Sequence, residues 1–279
     1  MKQIIRFVRY FCLGNLLWIS LLANSGTLKI VSTIKPIDLI LGEIAGPRVE
    51  SYLLLPQGAS PHHFRLKPSD IRRMWGADLV LWVGPNLEIF LAQQIQLLSA
   101  KTLVVSLGQG LTDLMGDAHI WLDPQIAIKM GQKIAEILIS IDPENDKEYT
   151  KNLEKWQEKV YFMDKQVALL FAEIEAPQYI LQHRSMDYFQ ARYNLAHLGV
   201  LTSGAEQQTS VRNLLTIDTL LVSGRAKCVI IEPKFPHNII KSLKASEHSH
   251  IIEFDPLMYL AKNYVSAISL FADKLKECV

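Results

Sequence analysis

The sequence predicts an α/β protein with two lobes, each a parallel sheet covered by helices, joined by a long helix. Short apolar runs alternate with helical patterns from residue 28 to the C-terminus, as in parallel βα units. A stretch from residue 144 to 175 without glycine or proline divides this alternation. With 279 residues, 49% hydrophobic and 20% charged, the chain is globular and long enough for two domains of ordinary size.

The first lobe is predicted to contain four strands, each followed by a helix. The strands read LKIVST, VESYLLL, ADLVLWVG and TLVVSL, at 28–33, 49–55, 77–84 and 102–107. The helices are predicted at 36–45, 68–75, 87–98 and 124–139. Proline and glycine residues end the second strand, so His62 and His63 are expected on a loop at the carboxyl end of that strand.

The second half repeats the alternation after a long helix. Apolar residues recur at steps of three or four through the stretch without glycine or proline, which predicts a connecting helix of about 30 residues. Strands are predicted at 178–181, 196–201, 227–231 and 251–254, and helices at 186–193, 210–222, 236–244 and 259–277. The predicted domains are therefore an N-terminal lobe at 26–142, a connecting helix at 143–176 and a C-terminal lobe at 177–279.

Residues 1–25 have the pattern of a secretory signal peptide. Three basic residues precede an apolar run from Phe11 to Ala23, and small residues follow up to Ser25. We therefore expect export of the remaining chain. An uncleaved membrane anchor is the alternative, although the apolar run is short for a span of about 20 residues.

Charge excludes some classes of partner. Without residues 1–25 the chain keeps 26 Lys plus Arg against 28 Asp plus Glu, because the three charges removed are all positive. A nearly neutral protein has no electrostatic reason to bind nucleic acid or an anionic membrane surface.

The two cysteines outside this segment are Cys228 and Cys278. An even number of cysteines in an oxidising compartment favours a disulfide between them, closing a loop of about 50 residues. Two buried free thiols are the alternative, since sequence does not give the distance between them.

Four candidate metal ligands lie at the ends of predicted elements: His62, His119, His183 and Asp255. Imidazole nitrogen and carboxylate oxygen suit a borderline divalent ion, above all zinc. A single histidine at a strand end is more typical of a hydrogen-bonded surface residue. The metal hypothesis rests on all four together, because the carboxyl ends of parallel strands converge on one crevice.

Five motifs carry a resemblance to a known family. The runs ASPHHFRLKPSD, ADLVLWVGPNLE, HIWLDP, IIEPKF and EFDPL together resemble the metal-specific substrate-binding proteins of bacterial ABC importers that take up zinc or manganese. The resemblance covers nearly the whole chain after residue 25. It implies a monomeric periplasmic protein that holds one metal ion between two lobes and delivers it to a membrane permease with a cytoplasmic ATPase. The family's ligand positions fall on His62, His119, His183 and Asp255.

The resemblance also indicates the cargo. A histidine at the third ligand position resembles the zinc branch of the family and a glutamate the manganese or iron branch, so His183 favours Zn²⁺ over manganese or iron. The fourth ligand is Asp255 or a water. Cys228 and Cys278 match the disulfide pair of the zinc-binding members.

A secreted zinc hydrolase is the alternative from another class, because three histidines and an open position also describe a catalytic zinc site. The sequence has no His-Glu-x-x-His motif, and we expect a binding protein and not an enzyme.

One departure from the family concerns Arg184, next to a predicted ligand. Its positive charge would oppose a bound cation, so we expect its side chain to point away or to pair with a carboxylate. The carboxylates considered as partners of the ligands are Asp187, Glu206 and Glu232, each with a solvated or helix-capping alternative.

Overall fold

The computed structural model describes residues 27–98, 102–111, 117–202, 210–233, 235–236 and 250–279. Within these ranges the chain forms two four-stranded sheets, and every strand pair is parallel. The prediction of two α/β lobes with parallel sheets and a long helix is confirmed.

The first sheet has the strand order β2-β1-β3-β4. Its strands are β1 (Leu28–Ser32), β2 (Val49–Leu53), β3 (Leu79–Trp82) and β4 (Leu103–Ser106). The helices of this half are α1 (Lys35–Ala45), α2 (Pro68–Trp75), α3 (Ile89–Gln96) and α4 (Pro124–Ile141). A proline among the first two residues of α1, α2 and α4 presets the backbone for a helix start.

The second sheet has the corresponding order β6-β5-β7-β8. Its strands are β5 (Tyr179–Leu181), β6 (Gly199–Val200), β7 (Cys228–Ile231) and β8 (His250–Glu253), and its helices are α6 (Asp187–Tyr193), α7 (Val211–Val222) and α8 (Tyr264–Leu275). Because the strands of each sheet are parallel, their carboxyl ends lie at one edge, where the loops with the predicted ligands follow.

The connecting helix is α5 (Asp146–Glu173), preceded by a single 3-10 turn at Pro143–Asn145. It packs against α1 and α4 on one side and against α6 and α8 on the other. One apolar cluster runs through both halves and includes Trp121, Trp156, Phe189 and Phe271. The two lobes therefore share a continuous core, which favours small relative movement.

The last helix begins later than predicted. The sequence predicts it from residue 259, but α8 starts at Tyr264, because Asn263 caps it by accepting a hydrogen bond from the Ser266 backbone N–H. Residues 259–263 form turns instead, after Met258 with φ of +58°. The predicted helix at 236–244 and the predicted signal peptide at 1–25 lie outside the described residues, except for Pro236.

A disulfide joins Cys228, the first residue of β7, to Cys278 after α8. The predicted pairing is confirmed. Among the described residues, we find no helix with the length and apolar character needed to span a bilayer.

Candidate metal centre

Three of the four predicted ligands meet between the two sheets. His62 follows β2, His119 follows β4 and His183 follows β5, so two come from the first half and one from the second. One possible ligand atom on each of these histidines lies within 4.8 Å of those on the other two. Their ring centroids are 5.7 to 6.4 Å apart. The chain fold thus brings together residues that are more than 50 positions apart.

His119 is held by the carboxylate of Asp117, which is not among the candidates that the sequence pattern indicates. Asp117 Oδ1 lies 2.6 Å from His119 Nδ1 and also accepts a 2.9 Å hydrogen bond from the His119 backbone N–H. Both side chains are buried. Because the carboxylate accepts from Nδ1, that nitrogen carries the proton and Nε2 keeps its lone pair for a metal ion.

The pKa values of this pair reflect their mutual attraction. Burial by itself would lower the pKa of His119, but the charge and hydrogen bond of Asp117 outweigh it and raise that pKa. Burial would raise the pKa of Asp117, and His119 outweighs burial and lowers it. Each partner therefore favours the charged form of the other, and a metal ion competes with a proton for Nε2.

His183 has a carboxylate neighbour without a formed hydrogen bond. Its Nδ1 lies 3.3 Å from Glu232 Oε1, at the end of β7. Within the described part of the chain, neither ring nitrogen of His183 nor Oε1 of Glu232 has a hydrogen-bond partner, although all three atoms are buried. Burial raises the pKa of Glu232 to about 7. Buried donors and acceptors without partners cost free energy, so this side of the site is incomplete without a ligand.

The other two imidazoles are kept neutral. Burial and the neighbouring His119 lower the pKa of His183 to about 3 and that of the half-buried His62 to about 4. Neutral imidazoles are the form that binds metal ions. Both rings are thus ready as ligands well below neutral pH.

Asp255 lies at the carboxyl end of β8, as predicted, but it does not belong to the group of ligand atoms within 4.8 Å. Its two oxygens accept 2.9 Å hydrogen bonds from the backbone N–H groups of Leu257 and Tyr259. Burial raises its pKa. Each carboxylate oxygen has a second lone pair, so these bonds leave acceptor capacity for a metal ion.

Arg184 is accommodated as the sequence predicts. Its guanidinium pairs with the carboxylate of Asp187, three residues later, and its side chain is 58% exposed. The Asp187 carboxylate therefore forms its ion pair with Arg184. His63 is exposed, whereas Glu206 lies outside the described residues.

The donor set fits zinc. Zn²⁺ prefers four nitrogen, sulfur or oxygen ligands at about 2.0 Å in a tetrahedron, which places ligand atoms about 3.4 Å apart. Three imidazole nitrogens within 4.8 Å, two of them on buried histidines, reach this arrangement by shifts on the order of 1 Å. The carboxylates of Asp117 and Glu232 add negative charge beside the ligands, which favours a divalent cation.

Two parallel-sheet lobes, a long connecting helix and a histidine cluster between the lobes define a two-lobed metal-binding protein. The sequence profile of the family described as zinc-uptake complex component A, periplasmic, matches residues 30–278. The chain belongs to this family.

Individual relatives agree with the family match. The high-affinity zinc uptake system protein ZnuA of Yersinia pestis is 28% identical, with 92% of each chain covered. A putative metal-binding protein of Thermotoga maritima is 31% identical, covering 82% of this chain and 84% of its own.

Solved structures show the same fold. A crystal structure of ZnuA superposes with a TM-score of 0.81 at 22% identity, covering 91% of this chain and 99% of that one. The periplasmic zinc-binding protein TroA of Treponema pallidum gives 0.81 at 21% identity over the same shares.

Proposed function

We propose that this protein captures Zn²⁺ in the periplasm and delivers it to the membrane permease of an ABC importer. The observation that carries the proposal is the cluster of His62, His119 and His183, which draws ligands from both lobes. Membership of the zinc-uptake family supports the same function. The metal ion is cargo, so we expect no enzymatic activity.

The chemistry of the donors favours zinc over manganese or iron. Imidazole nitrogen suits zinc, whereas manganese prefers carboxylate, carbonyl and water oxygen. Three of the proposed ligands are nitrogen donors. We propose Asp255 or a water as the fourth ligand.

Family membership supports a proposal for the location and partners. We propose that residues 1–25 direct export and are removed, that the mature chain acts as a monomer, and that its partners are a permease with a cytoplasmic ATPase. We propose lobe boundaries at 26–142 and 177–279, with the connecting helix at 143–176 between them.

A competition titration tests the proposed cargo. The metal-free protein from about Gly26 is titrated with zinc and with manganese against a chromophoric chelator, alongside His183→Ala. We expect one tight zinc site, weak manganese binding, and a loss of at least about 100-fold in zinc affinity in the variant, because a structural zinc site contributes about 10–16 kcal/mol through four ligands.

His197→Ala is the matched control. His197 is half-buried and contacts Gln190, away from the cluster, so its removal should leave zinc affinity unchanged. Preferential manganese binding would overturn the choice of cargo. Unchanged zinc affinity in His183→Ala would overturn the ligand assignment.

A further inference from the structure

Asp117 is hydrogen-bonded to both halves of the molecule. Its Oδ1 accepts from the ring and backbone of His119 in the first half. Its Oδ2 accepts a 2.9 Å hydrogen bond from the backbone N–H of Asp187, the first residue of α6 in the second half. Asp117 and Asp187 are both buried. One desolvated carboxylate therefore bridges the two lobes beside the metal centre.

The bridge reaches ligands on both sides. Asp187 lies four residues after His183, and its own carboxylate pairs with Arg184. The short segment 183–187 therefore connects the Asp117 hydrogen bond to the His183 ligand. Through Oδ1, Asp117 sets the ring of His119; through Oδ2, it holds the segment that carries the ligand from the other half. A shift of this carboxylate would displace both ligands.

Other hydrogen bonds between the halves do not reach the ring nitrogens of the cluster, although the Trp121 ring lies 5.2 Å from that of His119. Trp121 Nε1 donates to the Pro256 carbonyl at 2.8 Å, and Tyr259 Oη donates to the Leu55 carbonyl at 2.5 Å. Neither of these bonds involves a ring nitrogen of the three histidines. Among the hydrogen bonds found for the described residues, the two made by Asp117 connect Nδ1 of a proposed ligand, His119, to the opposite lobe.

We propose that Asp117 is a positioning residue that couples the orientation of His119 to the contact between the two lobes. Zinc bound at His119 Nε2 fixes the orientation of the ring. The ring then fixes the Asp117 carboxylate through Nδ1, and the carboxylate fixes the Asp187 N–H through Oδ2. Loading the cleft therefore tightens the interlobe contact, and the state presented to a permease differs from the metal-free state. This inference rests on the proposed zinc site.

Asp117→Asn is the informative variant because it keeps the shape and removes one acceptor. An amide has a single oxygen, so it accepts from His119 or from Asp187, while its NH₂ group faces the other donor. We expect zinc affinity to fall about 10- to 100-fold, as for other groups that orient metal ligands. We expect the ¹⁵N chemical shifts of the His119 ring to report one tautomer in the wild type and a mixture of tautomers in Asp117→Asn.

The strength of the hydrogen bond between the lobes is measured by amide hydrogen exchange at Asp187 in the mature protein. In the wild type, we expect zinc to slow this exchange at least tenfold, and Asp117→Asn to abolish that slowing. The wild-type measurement needs no variant to fold. Asp187 exchange that does not respond to zinc would overturn the coupling.

Asp123→Asn is the matched control. Asp123 is a partly buried carboxylate six residues away that caps α4 through the Gln125 N–H and does not contact the three histidines. We expect wild-type zinc affinity and a normal zinc response at Asp187. If wild type and Asp117→Asn bind zinc within twofold of each other, the positioning role is wrong and the proposed function stands. If the wild type binds no zinc, the proposed function fails, and the coupling fails with it.

Discussion

The two halves of the molecule place a carboxylate beside a histidine in opposite states. In the first half, Asp117 is fully hydrogen-bonded, its pKa is lowered and its histidine has a fixed orientation. In the second half, Glu232 approaches His183 at 3.3 Å without a hydrogen bond, and its pKa is raised to about 7. One pair is complete before metal arrives, and the other is completed by it.

This difference indicates that the two halves contribute to metal binding in different ways. A preformed histidine reduces the cost of ordering a ligand on binding. A carboxylate with one oxygen lacking a hydrogen-bond partner gains a favourable interaction when a cation binds beside it. The first half therefore contributes a histidine that is already oriented. The second half contributes a carboxylate whose attraction for the metal ion depends on the charge of that ion.

The largest expected effect on the free energy of unfolding comes from the disulfide, which joins two residues of the second half. The remaining cysteine, Cys12, lies outside the described residues. Replacing Cys228 and Cys278 by alanine should lower the free energy of unfolding of the metal-free protein by about 4 kcal/mol, because a loop of 50 residues is no longer closed in the unfolded chain. Urea denaturation measures this. A loss below about 1 kcal/mol would mean that the disulfide adds little to the core around it.

The two carboxylates should respond oppositely to neutralisation in the metal-free protein. Asp117→Asn should lower the free energy of unfolding by about 1–3 kcal/mol, since a buried charge-assisted hydrogen bond is lost. Glu232→Gln should raise it by about 2–3 kcal/mol above pH 7, because the wild-type carboxyl is ionised there at a cost. Denaturation of both variants at pH 8 makes the comparison, and a shift of the same sign in both would contradict it.

The ionisation of Glu232 makes the free energy of unfolding depend on pH. Its pKa is about 7 in the folded protein and 4.5 ordinarily, so the folded state holds the proton to higher pH. Wild-type stability is therefore lost through this group as pH rises from about 4.5 to 7. The advantage of Glu232→Gln should grow over that interval and vanish below about pH 4.

Bound zinc should reverse the effect of Glu232→Gln, which stabilises the metal-free protein. With a cation bound, the Glu232 charge is favourable, so Glu232→Gln should bind zinc about tenfold more weakly although its metal-free form is more stable. Competition titration at pH 8 measures this. The matched variant Glu253→Gln, at an exposed position on β8, should leave affinity unchanged. Equal affinity in Glu232→Gln and wild type would show that the carboxylate does not act on the metal.

The smallest effect is the dependence of zinc affinity on pH. Binding requires a neutral His119, whose pKa is raised by Asp117, whereas His62 and His183 titrate only near pH 4 and 3. Affinity should therefore fall about tenfold per pH unit as pH drops below the raised pKa of His119, through one proton. Asp117→Asn should move this onset to lower pH. Affinity that is independent of pH between 7 and 5 would contradict the assignment of His119.

Local patterns predicted most of the secondary structure. Helix α2 runs over the predicted residues 68–75, where Pro68 starts it and Gly76 follows it. The last helix was placed five residues too early, because residues 259–263 are apolar enough to continue its pattern while the cap at Asn263 decides the start. Arg184 was correctly expected to pair with a carboxylate, since a charge beside a cation site demands one.

Asp117 was missed although a signal was present. It lies two residues before His119, a spacing that allows a carboxylate to accept from both the ring and the backbone of the histidine. Glu232 was considered together with Asp187 and Glu206, and nothing in the sequence separates a carboxylate near a ligand from one on the surface. The distance of Asp255 from the cluster is equally invisible to local pattern.

The sequence by itself determined the alternation of strands and helices, the division by a long helix, the four strand-end ligand candidates and the cysteine pair, because each depends on local periodicity, chain breakers or composition. Tertiary structure decided which side chains meet. It brought His62, His119 and His183 within 4.8 Å, engaged both oxygens of Asp255 with its own turn, and set Asp117 across the lobes. The physical reason is that hydrogen bonding and burial depend on distances between residues far apart in the chain, and those distances exist only after the two sheets pack together.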